Sequence, residues 1–383
     1  MSHYGNCEIV RLMRDISSKF DVSYWREICR LESYPSEYWD ALAKGGLFGL
    51  AMDRKWGGMG KTFFDICLAT EETAETFSGI GSYVFIAGST ISSIFSEASE
   101  EQKKEIFPKL AEGKLKISVA LTEEISGLNA SAISSKATIV PGGYELTGSK
   151  TFVANVADAD YLVIFVRTSA PSTSKRSAGI SMFLIPADSP GLRLTKLEKL
   201  GMDFVKSYNV SFTDLKVSEE SLIGKRDAAW SAAIEAFVSG RVVTAASLIG
   251  TGKLAINQAT RYASDRIVFG KAIGAYQGIQ FPLADVMSQL LAAEELMKKT
   301  AEMYPLNRKL FSNYANLSLY TAVNSATTAT ERSLQTFGGH GYYKDFDVER
   351  YWRDVRAYKV HPISEELLLA SIAEHNLGLP PSY

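Results

Sequence analysis

Three long stretches of helical periodicity, 228–265, 276–304 and 306–337, follow one another with only short connections. Long amphipathic helices joined this way become antiparallel neighbours, so 227–383 is expected to form an up-and-down bundle. Residues 1–115 are also expected to be helical. The stretch 36–46 follows Pro35 and sets Tyr38, Trp39 and Leu42 at helical spacing; 62–77 keeps the same period; 79–95 is small and apolar enough to be buried; and 100–111 is charged and stopped by Gly113. Between these blocks the period changes. Short β-branched and aromatic runs occupy 131–140, 144–146, 151–153, 161–166, 180–185, 192–197 and 208–217. Turn chemistry separates them at Pro141-Gly142-Gly143, Gly148-Ser149-Lys150 and Asp158-Ala159-Asp160. Serine-rich 169–179, with Lys175 and Arg176, is expected to be a mobile surface loop. The fold class is therefore α+β, mainly α: an N-terminal helical domain (1–115), a central β domain (116–226) and a C-terminal helical bundle (227–383), with no tandem repeat.

Composition serves mainly to exclude. Lys and Arg total 41 against 43 Asp and Glu, so a net charge of −2 gives no electrostatic reason to expect nucleic acid or an anionic membrane. Cys7, Cys29 and Cys67 are odd in number and follow no metal spacing. They suit a reducing compartment. The first residues lack an apolar signal core, and no apolar run is expected to be long enough to span a bilayer. A cytoplasmic protein without a metal site is the expectation.

The densest chemistry lies in 335–366. Gln335-Thr336-Phe337-Gly338-Gly339-His340-Gly341 breaks the helical pattern with three glycines. Glycine lacks a Cβ and tolerates positive φ, which lets a backbone approach a ligand closely; the plain alternative is a helix C-cap and a turn. Further on, Ser364 is placed to cap a helix, with Glu365 and Glu366 complementing the dipole in its first turn.

Six motifs in order then carry a resemblance. Gly45-Gly46-Leu47-Phe48-Gly49 precedes Gly57-Gly58-Met59-Gly60, and Glu101-Gln102-Lys103 comes before the β domain. Leu121-Thr122-Glu123, Lys150-Thr151-Phe152-Val153-Ala154-Asn155, Arg266-Ile267-Val268-Phe269-Gly270 with Gln277, and Gln335 to Gly341 complete the set. Together they resemble the flavin-dependent acyl-CoA dehydrogenase family over almost the whole chain. The tail at Leu377-Gly378-Leu379-Pro380 is similar to that of a prokaryotic subgroup. The resemblance implies an N-terminal helical domain, a central β domain and a C-terminal four-helix bundle. FAD would lie between the last two, its adenine end crossing to a neighbouring subunit. It places Arg266 at the pyrophosphate and Phe269 on the adenine side. Gln277, Gln335, Gly338 and Gly339 would complete that cradle, while Leu121, Thr122, Gly127, Phe152, Ala154 and Ser364 would surround the flavin. It also implies acyl-CoA or another acyl thioester as substrate, an electron-transferring flavoprotein as acceptor, and a tetramer, either homomeric or shared with a related chain.

The family's reaction removes an α proton with a carboxylate while the β hydrogen leaves as hydride, and the thioester oxygen must be held as enolate charge develops. One usual base position, at the start of the last helix, falls on Pro362, which has neither a carboxylate nor an N–H. The other, just before Arg241, falls on Gly240. Flavin-side departures accompany these losses. Leu128 stands for a serine, Ala154 for a hydroxyl residue and Phe152 for a tryptophan. Glu235 lies five residues before Gly240 and off the same helical face. His361, beside Pro362, is the remaining candidate base, although a lone histidine at a helix entry is also an ordinary structural residue. Three readings follow: a dehydrogenase with an unplaced base, a catalytically impaired partner subunit of a heteromeric dehydrogenase, or a same-fold flavin oxidase or monooxygenase.

Overall fold

The computed structural model describes residues 7–171 and 177–382. Its N-terminal helices are α1 (Glu8–Ser17), α2 (Val22–Leu31), α3 (Ser36–Lys44), α4 (Phe63–Thr73), α5 (Tyr83–Ile94) and α6 (Glu100–Ala111). Their starts are written locally. Asp21 accepts from Tyr24 N, while Thr62 with Asp65 and Ser99 with Gln102 form reciprocal capping boxes. The two patterns at 62–77 and 79–95 do not give two unbroken α-helices. α4 loosens into a π turn over Ala74–Ser78, and a 3-10 turn over Gly79–Ser82 precedes α5.

The central domain holds β1 (Ile117–Ala120), β2 (Lys136–Val140), β3 (Gly143–Ala154), β4 (Tyr161–Arg167), β5 (Ile180–Pro186), β6 (Leu192–Leu197), β7 (Ser207–Ser218) and β8 (Leu222–Ile223). The sheet order is β6-β7-β3-β2-β4-β5-β8, with β1 parallel to β4. Two expectations are corrected. The stretch 131–140 is strand only from Lys136, after a 3-10 turn at Ala130–Ala132. Gly148-Ser149-Lys150 is not a turn between strands but the middle of β3. β7 pairs along the whole of β3 and absorbs the irregularity as register shifts between Leu146 and Gly148 and between Lys150 and Val153. Gly148 is required there by close approach, since a Cβ would sit 2.3 Å from Ser135 Oγ. The ends of the serine-rich loop are joined by Thr168 N donating to Gly179 O at 2.9 Å; its tip, with Lys175 and Arg176, lies outside the described residues.

The bundle follows: α7 (Ala229–Asp265), a small hairpin of β9 (Ile267–Val268) and β10 (Lys271–Ala272), α8 (Gln277–Met303), α9 (Arg308–Phe337), α10 (Val348–Ala357) and α11 (Glu365–Leu377). α7 is the central helix, packed by α4, α5, α8 and α9. At 37 residues it is long and apolar enough to cross a membrane, against the expectation that no run would be. Its most apolar window is 78% buried inside the protein, because a helix surrounded by others needs no polar face.

One core cluster ties the β domain to the bundle. Met202, Phe204 and Val205, from the β6–β7 connection, pack with Val84 and Phe85 of α5 and with Tyr358 and Leu368; Ala154 and Ile363 lean on the same cluster. Polar contacts fix the connection. Arg353 donates to Leu200 O at 2.8 Å and pairs with Asp203 at 3.2 Å, and Asp354 Oδ1 accepts from Met202 N at 2.5 Å. Burial pushes the Asp354 carboxyl up to about 6.

Candidate active site

β1 runs directly into Leu121, Thr122 and Glu123, and β3 lies alongside. Thr151 N donates to Thr122 O at 2.9 Å. Lys150 Nζ donates to Leu121 O at 3.1 Å and to Glu123 Oε1 at 2.7 Å. Glu123 also accepts from Ser134 N (2.6 Å), Ser134 Oγ (2.7 Å) and Ser135 N (3.0 Å). The Lys150 and Glu123 side chains are 0% and 3% exposed. Burial alone would raise the Glu123 carboxyl, but the Lys150 charge and the hydrogen bonds from Lys150, Ser135 and Ser134 outweigh it and bring it down to about 2. Burial takes the Lys150 ammonium down to about 8 against the pull of Glu123, so the pair is ionised at neutral pH. Leu121 and Thr122, expected to surround the flavin, thus have their carbonyls already accepting from β3.

What this staple presents is a surface. Phe152 is 68% exposed at φ +55°, turned out of the sheet where β3 and β7 slip register. An aromatic side chain held in the left-handed region costs on the order of 1–2 kcal/mol and offers its ring to whatever covers it. A Cβ at Gly127 would meet nothing within 4 Å. Nearby in sequence, Ser126 Oγ and Asn155 Oδ1 are buried without a hydrogen-bond partner. Ala154 O accepts from Ser118 Oγ at 2.7 Å, and its side chain reaches the core cluster shared with Tyr358 and Ile363.

A second feature lies at the far ends of α7 and α9. A recess of about 370 Å³ is lined by Arg266, Gly338 and Gly339 with Tyr262, His340 and Tyr343. Arg266 is exposed and makes no ion pair among the described residues, and neither Gly338 nor Gly339 has an atom within 4 Å of a built Cβ. Tyr262 stacks on Phe337 with ring centres 4.2 Å apart and meets His340 Nδ1 at 2.9 Å through its hydroxyl, which stiffens the floor. Gln277, Gln335 and Phe269 do not line it. Both glutamines are exposed, and Phe269 stands 94% exposed on the β9–β10 hairpin. The roles of Tyr262 and His340 were not foreseen, although Tyr262 lies one helical turn before Arg266 and His340 sits among the glycines.

The two positions where the family resemblance puts a catalytic base lie on α7 and on the α10–α11 turn. Gly240 is buried, and a Cβ built there meets only Thr90 Oγ1 of α5, at 3.3 Å. Arg241 turns to α9, donating to Asn316 Oδ1 at 2.7 Å, and burial pushes its guanidinium down to about 10. Glu235 is held in a largely exposed ion pair by Arg308. Ser364 caps α11, accepting from Leu367 N at 3.4 Å, and Glu365 pairs with Lys359 at 2.8 Å. The Ser364 hydroxyl, expected near the flavin, is therefore occupied by the cap. Pro362 and His361 are solvent-reached, and the His361 ring stacks on Tyr358 at 5.1 Å.

Sequence profiles of the acyl-CoA dehydrogenase N-terminal, middle and C-terminal domains match residues 7–114, 118–215 and 229–377. An acyl-CoA dehydrogenase of Bacillus subtilis is 31% identical over 372 residues, covering 96% of this chain and 97% of its own. This chain belongs to the acyl-CoA dehydrogenase family. The CarC subunit of the caffeyl-CoA reductase-Etf complex of Acetobacterium woodii is 30% identical over 360 residues, 93% of this chain and 94% of its own. Butyryl-CoA dehydrogenase of Megasphaera elsdenii superposes with a TM-score of 0.90 at 27% identity, over 98% of this chain and 99% of that one. The cofactor of such acyl-CoA dehydrogenases is FAD, and the residues present fit it. The open glycine wall with an unpaired arginine suits a pyrophosphate and its adenosine. The exposed Phe152 ring suits the face of a flat heterocycle.

Proposed function

We propose that this acyl-CoA dehydrogenase homologue oxidises an acyl thioester, acyl-CoA in the first instance, between its α and β carbons. It works as a tetramer in the cytoplasm and passes its electrons to an electron-transferring flavoprotein. The observation that carries the reading is the pairing of two prepared surfaces, the Arg266–Gly338–Gly339 recess and the stapled Phe152 face. When bound, FAD supplies the hydride acceptor. The chain's own residues do the rest: Arg266 neutralises phosphate charge, Phe152 covers one ring face, and the Glu123–Lys150 pair keeps β1 and β3 in register beneath it. Exposed Phe269 and Ile267 on the rim of the recess (94% and 60%) support a neighbouring subunit at the adenine end. The Etf-complex relative supports the proposed acceptor. Cysteines free of disulfides support the cytoplasmic assignment.

The visible spectrum of the protein expressed alone tests this. A yellow protein bleached anaerobically by butyryl-CoA is expected; a colourless protein that neither takes up FAD nor responds overturns it. A second reading draws on the absence of a carboxylate at both Gly240 and Pro362. A partner subunit in a heteromer would copurify, colourless, with a related chain. A same-fold oxidase or monooxygenase would be yellow, indifferent to acyl-CoA, and would consume oxygen on another substrate.

A further inference from the structure

The recess at the far ends of α7 and α9 holds more polar chemistry than Arg266. At about 370 Å³ it stands at the small end of ligand pockets, which run from roughly 300 to 1,000 Å³, so it suits one end of an extended cofactor. Arg266 and His340 line it, and no carboxylate does. The adjoining recess, about 260 Å³, shares Tyr262 and Phe337 with it but is lined by Asp345 and Asp347, and there Arg26 is already paired with Asp347. Of the two, the first is the one that offers cationic chemistry with no acid to answer it, as an anionic ligand requires.

His340 is half-buried and fixed in place by rings. Its centre lies 5.1 Å from that of Phe346 and 6.2 Å from that of Tyr343. Tyr262, itself stacked on Phe337, meets Nδ1 through its hydroxyl at 2.9 Å. That hydroxyl has no other hydrogen-bond partner among the described residues. When it donates to Nδ1, the neutral imidazole carries its proton on Nε2, because one ring nitrogen accepts and the other donates. Nε2 has no partner among the described residues. The wall of the same recess is open at Gly338, at φ +57°, and at Gly339, where a built Cβ meets nothing within 4 Å. The recess is thus lined by an unpaired guanidinium and by an oriented imidazole whose second nitrogen is free.

We propose that His340, oriented by Tyr262, is a second phosphate-binding residue of this recess, donating Nε2–H to the diphosphate of the cofactor's ADP half alongside Arg266. The resemblance that points to Arg266, Gly338 and Gly339 gives no role to His340 or Tyr262. The two donors differ in kind. Arg266 brings a full charge on a flexible stem, whereas His340 brings a donor whose direction is set by the hydroxyl of a stacked tyrosine. A diphosphate carries oxygens on two phosphorus atoms and can engage both. The assignment rests on the flavoprotein reading given above, and the experiment separates the two.

Protein stripped of flavin is titrated with FAD and, in parallel, with FMN, which lacks the ADP half; flavin fluorescence gives each affinity. His340→Phe keeps an aromatic ring among Tyr262, Tyr343 and Phe346 and removes both nitrogens. It should weaken FAD about 10- to 100-fold, the worth of a hydrogen bond to a charged group, and leave FMN within about twofold. His340→Gln, which keeps an N–H donor, should recover part of the loss. Tyr262→Phe keeps the stack on Phe337 but leaves Nδ1 unmet, and should weaken FAD less than His340→Phe does. Unchanged FAD affinity in His340→Phe overturns the proposal, and the flavoprotein reading stands. An equal loss of FAD and FMN overturns it as well, as does a loss accompanied by a fall in the unfolding temperature of the apoprotein, because a merely structural histidine gives those results. A wild type that takes up neither flavin overturns both.

Discussion

Two polar centres of the molecule, the β1–β3 staple and the α10–α11 turn, are opposites. At the β1–β3 staple every charge is answered: Glu123 accepts four hydrogen bonds, one of them from a lysine as buried as itself. At the α10–α11 turn the His361 side chain is exposed and, among the described residues, its ring meets only the Tyr358 ring. Satisfied buried charges specify structure, because any other arrangement leaves one of them unpaired in a low-dielectric interior. The contrast assigns the first centre to holding β1 and β3 in register beneath Phe152, and leaves the second to solvent.

The contrast can be broken most severely at Lys150. Lys150→Met leaves Glu123 buried without its cation and should cost about 3–5 kcal/mol in denaturant unfolding. Lys150→Met combined with Glu123→Leu should recover part of that, and no recovery would mean the remaining serine donors, not the charge pair, set the cost. Acid is a gentler probe of the same centre. Glu123 sits at about 2 when folded, below its ordinary 4.5, so its contribution is fully present above pH 4.5 and is lost as pH falls toward 2. The loss should approach about 1.4 kcal/mol per pH unit in that window, read from stability at successive pH values. Glu123→Gln should flatten this limb of the profile. The smallest effect is expected at the recess. Arg266→Gln removes one charge-assisted contact, worth about 1.5–3 kcal/mol, and should weaken FAD about 10- to 100-fold while leaving thermal unfolding of the apoprotein unchanged. A fall in apoprotein stability would show that Arg266 serves the fold instead.

Much of the architecture was legible because its signals are local. Helical period and capping residues such as Ser364 act within a few positions, so the bundle and the start of α11 could be placed from sequence. The errors came where a distant partner overrides a local preference. Gly148-Ser149-Lys150 carries turn chemistry, yet β7 pairs across it and makes it strand. The apolar length of α7 resembles a membrane span until α4, α5, α8 and α9 are seen to enclose it. In the site, glycines at 338 and 339 were readable as an open wall, whereas Tyr262 and His340 could not be assigned to it without the fold.

By itself the sequence determined the order of the three blocks, the glycine break before α10, and the absence of a carboxylate at positions 240 and 362. Those are properties of residue identity and spacing, which no fold can alter. Only the tertiary structure decided that Glu123 and Lys150, 27 residues apart, meet. It also brought Arg266 and Gly338 to one recess and left the His361 ring exposed against Tyr358. Strand register, burial and the distance between helix ends determine which charges are answered, and a linear chain does not carry those quantities position by position.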